Sequence, residues 1–212
     1  EIYTLSLHDA LPISIHGNST TVKSTTPDRP GERGTVTAHE PPMSVEQART
    51  LSAELLAGLP ERWRHSTGVA DRAREVAATV EPADRPVLVA AAWLHDIGYA
   101  AAARDSGYHP LDGARLLDRL GWPPRISALI AHHSGAIYVA RVRGLGDQLS
   151  RYPREQSPVT DALIYADQTV GPDGRHMTME QRMADMLARH GPHSANAHAH
   201  PHRRPYLLQA DE

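Results

Sequence analysis

Ionisable side chains occur on the apolar faces of several predicted helices, and this feature of the sequence most restricts the fold. His65 lies on a stripe of helical period that also contains Val69, Ala73, Val76 and Val80. His95 follows apolar residues at the same spacing, and Asp167 comes one turn after Leu163. Burying an imidazole or a carboxylate is unfavourable unless a partner satisfies it, so we predict a shared divalent cation. The predicted ligands are His65, His95, Asp96 and Asp167.

The rest of the central sequence also predicts helices. They cover residues 44–58, 61–80, 86–97, 111–120 and 138–150, with others opened by Pro123, Ser157 and Thr178. A serine or threonine followed three residues later by glutamine, as at residues 44–47 and 178–181, predicts a capping box. No segment of useful length alternates as a strand does. We therefore predict an all-α bundle of about six to eight helices.

The two ends of the chain differ in composition from its centre. Residues 1–14 resemble the translation of a DNA-sequencing adapter, so residues 1–42 are predicted to be an artefactual or disordered extension, with Met43 as the true start. Residues 43–190 form the predicted domain. Residues 191–212 are rich in histidine, alanine and proline, and we expect a flexible tail there rather than a metal store.

Composition excludes several classes of function. The net charge is −3, with no basic stretch that would indicate nucleic-acid binding. The chain contains no cysteine, which excludes thiolate metal sites and cysteine nucleophiles. No apolar run reaches the roughly 20 residues that a membrane helix needs. We expect a cytoplasmic protein, and the alanine- and arginine-rich composition suggests a bacterial, GC-rich genome.

The segment Trp93-Leu94-His95-Asp96-Ile97-Gly98, with His65 before it and Asp167 after it, resembles the H…HD…D signature of HD-domain metal-dependent phosphohydrolases. The resemblance spans roughly residues 44–190 and implies an HD-domain helical bundle. Further histidines resemble those of the family's two-metal members, and they imply a second metal site. These are His109, His132 and His133. Tyr99 stands where relatives usually have lysine, which removes a charged group at that point.

The resemblance implies a metal-activated water, with His95 and Asp96 as the central catalytic residues. Imidazole and carboxylate ligands suit one or two ions of Mn, Fe, Co, Ni or Zn better than Mg or Ca. His132 and His133 are adjacent and would point about 100° apart on a helix, so both can bind metal only if the helix frays there. Either one or both remain candidates.

Phosphate recognition is expected to come from arginine, because the sequence has a single lysine. The candidate substrate-binding residues are Arg62, Gln168 and Thr169. The expected substrate is a small phosphorylated metabolite such as a nucleotide, and a homodimer is among the oligomeric states left open.

Three functions remain in competition. The preferred one is hydrolysis of a phosphomonoester or phosphoanhydride. The second is a di-iron oxygenase of the same fold, for which Tyr99 would suit a less anionic substrate. The third is a non-catalytic domain that binds a ligand and keeps its metal for structure.

Overall fold

The computed structural model describes residues 44–211 and has the all-helical fold that the sequence predicts. The helices are α1 (Val45–Leu55), α2 (Pro60–Glu75), α3 (Arg85–Leu94), α4 (His109–Arg119), α5 (Pro124–His132), α6 (Ala136–Val142), α7 (Gly146–Leu149), α8 (Pro158–Gln168), α9 (Met179–His190) and α10 (Ala195–Leu208). Short 3₁₀ turns at Ile97–Tyr99 and His133–Gly135 follow α3 and α5. In this part of the chain, extended pairing is limited to one isolated bridge between Val170 and His176.

Side-chain caps explain where several helices begin. The Ser44 hydroxyl accepts from the Gln47 backbone N–H at 3.1 Å, and the Gln47 side chain accepts from the Ser44 N–H at 2.7 Å. Thr178 and Gln181 form the same reciprocal box before α9. Both boxes satisfy backbone donors that a helix start leaves free, and both confirm the predicted starts.

Helix α3 is the centre of the bundle. Every residue from Leu88 to Leu94 is buried, and a helix that is apolar on all sides must be enclosed by others. It packs against α1, α2, α5 and α8. Because the His95-Asp96 pair directly follows α3, the fold carries this pair into its interior.

The predicted flexible tail is instead helix α10, and this part of the sequence prediction is wrong. The buried residues Ala199, Arg203 and Leu207 are spaced four apart and form one face of the helix. The helix packs on α6 and α9. Pro201 and Pro205 lie inside it, and such prolines are rare within helices because each removes a backbone donor. Tertiary packing outweighs that local preference.

The helix predicted over residues 138–150 is interrupted. Gly144, with a φ of +71°, separates α6 from α7. This break and the presence of α10 give more helices between residues 44 and 211 than the six to eight expected. None of these described helices is long and apolar enough to cross a membrane. The predicted extension over residues 1–42 and the predicted start at Met43 lie outside the described residues.

Candidate metal centre

His95 and Asp96 lie where the central helix stops. Asp96 leads into the 3₁₀ turn Ile97–Tyr99, and the two residues are only 1% and 3% exposed. Gly98 lets the next helix approach, since a Cβ at this position would lie 1.9 Å from the carbonyl oxygen of His109. The absence of a side chain at Gly98 therefore sets how close the start of α4 comes to the His95-Asp96 pair.

Three buried side chains from different parts of the bundle form a group that we call the inner triad: His65, His95 and Asp167. His65 comes from α2, and Asp167 comes from the last turn of α8. The Nε2 atom of His65 lies 3.0 Å from Asp167 Oδ1, and the Nε2 atom of His95 lies 3.8 Å from the same oxygen. These atoms are close enough to hold one metal ion together.

Asp96, His109 and His133 form an outer triad beside the inner one. The Nε2 atom of His109 lies 3.4 Å from Asp96 Oδ1 and 3.3 Å from His133 Nε2. Asp96 Oδ1 is also 3.6 Å from His95 Nε2, so the two triads meet at this carboxylate. Two ligand groups this close together could hold two metal ions a few Å apart, as two-metal hydrolytic sites do.

Backbone carbonyls determine which ring nitrogen carries the proton in three of these histidines. The Nδ1 atoms of His65, His95 and His133 lie 3.0, 2.8 and 2.6 Å from the carbonyl oxygens of Gly171, Ala92 and Ile130. A carbonyl oxygen can only accept, so each Nδ1 carries a proton. Each ring therefore turns its Nε2 to the cluster, where this nitrogen can bind a metal ion or, in the metal-free site, a second proton. In metal-binding histidines, a hydrogen bond of this kind, from the ring nitrogen that does not bind the metal, fixes the orientation of the ring.

The facing atoms of the cluster fit a divalent cation. The buried Nε2 of His95 has no hydrogen-bond partner, and the nearest carboxylate oxygens, on Asp96 and Asp167, are also acceptors. Acceptors that face one another across a buried space need a proton or a metal cation between them. Mixed imidazole and carboxylate ligands favour a transition-metal ion. The residues that could hold such an ion are therefore those of the inner and outer triads.

The carboxylates of both triads remain ionised. Burial raises the pKa of Asp96, but the nearby charges of His95 and Arg62 outweigh it and hold the pKa below its usual value. Burial likewise raises the pKa of Asp167, whereas the hydrogen bond from His65 and other charges lower it more, and the net pKa is well below the usual range. Both carboxylates are thus available as anionic ligands at neutral pH.

The outer triad is also supported by an aromatic stack. The ring of Tyr99 stacks on His109 with centroids 4.1 Å apart, and the guanidinium of Arg62 lies 4.0 Å above the Tyr99 ring. Arg62 Nη1 lies 3.1 Å from Asp96 Oδ2. Burial raises the pKa of Tyr99 to about 12, so the phenol stays neutral. The charge that is missing at Tyr99 is supplied from α2 by Arg62.

A family model described as the HD domain matches residues 62–170, just over half of the chain. The matched range includes every residue of both triads. The chain belongs to the HD-domain family. This result confirms the resemblance carried by the His95-Asp96 motif and the superfamily of metal-dependent phosphohydrolases to which it points. No curated protein and no solved structure matched the chain.

His132 is the predicted ligand that the structure does not bring to the HD-domain cluster. Helix α5 ends at His132, and the chain then turns through Ser134 with a φ of +50°. The turn directs His133 to the outer triad, while the Nε2 atom of His132 lies 2.9 Å from the carbonyl oxygen of Tyr152. Of the two adjacent histidines, only His133 lies within reach of the other ligand atoms.

A cavity of about 520 Å³ opens beside the two triads. Two of the three predicted substrate-binding residues, Arg62 and Gln168, line it. Thr169 does not, because its hydroxyl donates to the carbonyl of Tyr165 and accepts from Arg72. Thr169 therefore belongs to the packing between α2 and α8.

Asp167 is supported by Gln168, which the sequence analysis selected as a substrate-binding residue, and by Ser134 and Arg203, which it did not select. The Ser134 hydroxyl donates to Asp167 Oδ2, and the amide of Gln168 donates to both Ser134 Oγ and Asp167 Oδ2 at 3.0 Å. Arg203 of α10 donates from Nε to the Ser134 carbonyl at 2.6 Å. These contacts connect the last helix of the described chain to a ligand of the inner triad.

Arg182 was also missed, although the sequence contains a signal for it. It lies on the stripe of helical period that contains Met179, Met183 and Met186, and an arginine on such a stripe indicates a buried charge. Its Nη2 atom lies 4.0 Å from Asp167 Oδ1. No comparable signal pointed to Arg203, because the prolines around it argue against a helix.

Proposed function

We propose that this HD-domain protein is a metal-dependent phosphohydrolase. It cleaves a phosphomonoester or phosphoanhydride bond of a nucleotide or another small phosphorylated metabolite, and water is the nucleophile. The observation that supports this most strongly is that the inner and outer triads meet at Asp96 beside one cavity. A cavity of about 520 Å³ is within the usual size range for a small-molecule site.

Divalent cations held by the two triads would lower the pKa of a bound water and neutralise charge on the phosphoryl oxygens. The chain itself offers no competing nucleophile at this place. It contains no cysteine. The Ser134 hydroxyl, on a residue that lines the cavity, donates a hydrogen bond to Asp167 and accepts one from Gln168, so it is engaged in positioning a ligand. Direct attack by water is the simplest route.

Arginine side chains flank both carboxylates and would stabilise the negative charge of a phosphoryl group. Arg62 lies 3.1 Å from Asp96, and Arg182 lies 4.0 Å from Asp167. Guanidinium groups match phosphate oxygens in geometry and charge and remain protonated at all working pH values. The positive charge of this cavity favours phosphate hydrolysis over the oxygenase hypothesis, in which the substrate is less anionic.

The test is phosphate release from a panel of phosphorylated metabolites by protein loaded in turn with Mn, Fe, Co, Ni or Zn. We expect turnover of at least one substrate with at least one metal. Asp96→Ala should reduce it to background, because Asp96 is the carboxylate shared by both triads. Asp161→Ala, which removes an exposed carboxylate from α8, is the matched control and should retain activity. Absence of turnover across the whole panel would contradict the proposal.

A further inference from the structure

One wall of the cavity comes from α9 and α10, beyond the residues that the HD-domain model matches. Three arginines of these helices line it, and we call them the arginine wall: Arg182, Arg189 and Arg203. The first turn of α10, at Ser194–Asn196, lies in the same wall. A helix start presents free backbone N–H groups and a partial positive charge, so it reinforces the cationic character of this wall.

Arg182 is buried and makes few contacts of its own. Its residue is 8% exposed, and its Nε and Nη1 atoms have no hydrogen-bond partner in the described part of the chain. The nearest carboxylates are Asp185, at 3.5 Å from Nη1, and Asp167, at 4.0 Å from Nη2. A buried guanidinium with unused donors is unfavourable unless an incoming acceptor completes its hydrogen bonds.

Arg203 is in a similar position. It is 9% exposed, and its Nε donates to the Ser134 carbonyl, but no carboxylate of the described residues lies within 4.0 Å of its guanidinium. Burial lowers the pKa of Arg203, which measures the cost of keeping its charge away from water. Arg203 thus has no carboxylate partner at bonding distance among the described residues, and Arg182 keeps unused donors although Asp185 and Asp167 lie near it.

The charges that line the whole cavity also favour an anionic ligand. Its lining contains six arginines and three carboxylates, and Asp185, outside the lining, forms an ion pair with Arg189 at 2.7 Å. One of the three, Asp112, already accepts hydrogen bonds from Ser106 and Gly107 and does not face an arginine at bonding distance. The excess of positive charge exists before any metal cation is counted. The cations that the triads would hold add to this excess, so one phosphate group, with a charge of about −2, would leave positive charge for a second anionic group.

We propose that the arginine wall is a binding subsite for a second anionic group, so that the preferred substrate carries at least two phosphate groups. One phosphate lies over the two triads, and the next contacts Arg182 and Arg203. This inference rests on the proposed phosphohydrolase function for the first phosphate, but the subsite itself is a binding property that can be measured without turnover. It assigns substrate selection to α9 and α10.

The test is calorimetric titration of the full chain, loaded with Mn²⁺ and dialysed free of unbound metal. The probes are methylenediphosphonate and methylphosphonate, which cannot be hydrolysed. Wild-type protein should bind the diphosphonate at least about 10-fold more tightly, as expected for charge-assisted hydrogen bonds. Arg182→Gln and Arg203→Gln should each lower this preference about 10-fold or remove it. Arg204→Gln is the matched control, since it removes an exposed arginine from the same helix, and it should leave the preference within about 2-fold.

Thermal unfolding shows whether each variant is folded. If a variant is not folded, a titration of chelator-treated wild-type protein tests the subsite instead. The preference for the diphosphonate should persist there, because the arginine wall needs no metal. Equal binding of the two probes by wild-type protein, or an unchanged preference in two folded variants, would overturn the subsite. Diphosphonate selectivity without any phosphate release would support the subsite and count against the proposed function. Turnover of monophosphates together with equal binding of both probes would support the proposed function and overturn the subsite.

Discussion

The inner and outer triads use the same residue types, yet the fold builds them differently. All three residues of the inner triad are buried, and they come from elements packed around the core helix α3. The outer triad is assembled from the turn after α3, the first residue of α4 and the turn after α5. It includes His109, whose side chain is 22% exposed. The inner triad therefore depends on the packing of the whole bundle, and the outer triad depends on local turns.

The supporting contacts differ in the same way. Ser134 and Gln168 hold one oxygen of Asp167, and His65 lies against the other. Among the described contacts, no backbone carbonyl accepts a hydrogen bond from the His109 ring. It is held by the stack on Tyr99 and by the close approach that Gly98 permits. We infer that the inner triad binds its metal more tightly and that the outer triad is the exchangeable half of the site.

The largest expected effect separates the two triads by metal content. Wild-type protein should hold about two metal ions per chain. Asp167→Ala should weaken metal binding at the inner triad by more than about 100-fold, because even residues that only support a ligand cost 10–100-fold when removed. His109→Ala should leave about one ion, bound at the inner triad. Elemental analysis after dialysis measures both.

Histidines outside the site need a control in this experiment. Removing residues 191–212 would also remove α10 and Arg203, so truncation is unsuitable. A background variant that replaces the exposed His193, His198 and His202 by asparagine keeps the helix and removes adventitious ligands. Equal metal loss in Asp167→Ala and His109→Ala on that background would contradict the distinction between the triads.

A smaller effect is expected from Ser134, whose hydroxyl donates to Asp167 of the inner triad and to no residue of the outer triad. Ser134→Ala should lower metal affinity by about 10–100-fold through loss of the hydrogen bond to Asp167. Ser134→Gly loses the same bond but suits the φ of +50°, so it should be more stable than Ser134→Ala by about 1–2 kcal/mol. Competition with a metal indicator gives the affinity, and urea unfolding gives the stability.

The comparison of these two variants separates the effect of the Ser134 hydroxyl on metal affinity from the effect of the backbone conformation. If glycine restored the metal affinity that alanine loses, the conformation at residue 134 would be responsible and the hydrogen bond would not. Ser127→Ala serves as control, since Ser127 is a buried serine whose hydroxyl has no hydrogen-bond partner. It should bind metal as wild type does.

The two triads also differ in how far sequence alone could predict them. His65, His95 and Asp167 lie on apolar stripes of regular helices, and helical periodicity is a strong local signal. The choice between His132 and His133 depended on where α5 ends and on the turn at Ser134. The Ser134-Gly135 dipeptide is a local turn signal. It does not show which histidine faces the cluster, because that depends also on the contacts of Ser134 with Asp167 on α8 and with Arg203 on α10.

The part of the cavity wall that comes from α10 could not be predicted from the sequence, for a related reason. Residues 191–208 have the composition of a flexible tail, and their two prolines argue against a helix. Only the burial of Ala199, Arg203 and Leu207 against the rest of the bundle explains why α10 forms. Local composition therefore predicted the core helices and the inner triad well, and it failed where long-range contacts determine the backbone.

The smallest expected effect is a pH dependence of stability to which the outer triad contributes. His132, His190 and His200, whose pKa values are also lowered by burial, add to it. Burial lowers the pKa of His133 and of His109 from the ordinary value of 6.5. In metal-free protein the unfolded state therefore takes up these protons first, so stability should fall as pH decreases from about 7.5 through 6.5. Asp96 and Asp167, whose pKa values are also lowered, contribute only at lower pH, near and below their ordinary pKa of 3.8.

Thermal unfolding between pH 7.5 and 5.5 should show a falling Tm, by about 2–4 °C for each kcal/mol lost. His133→Gln should flatten this slope while the exposed His193→Gln leaves it unchanged, and an equal slope in both variants would place the titrating groups outside the outer triad.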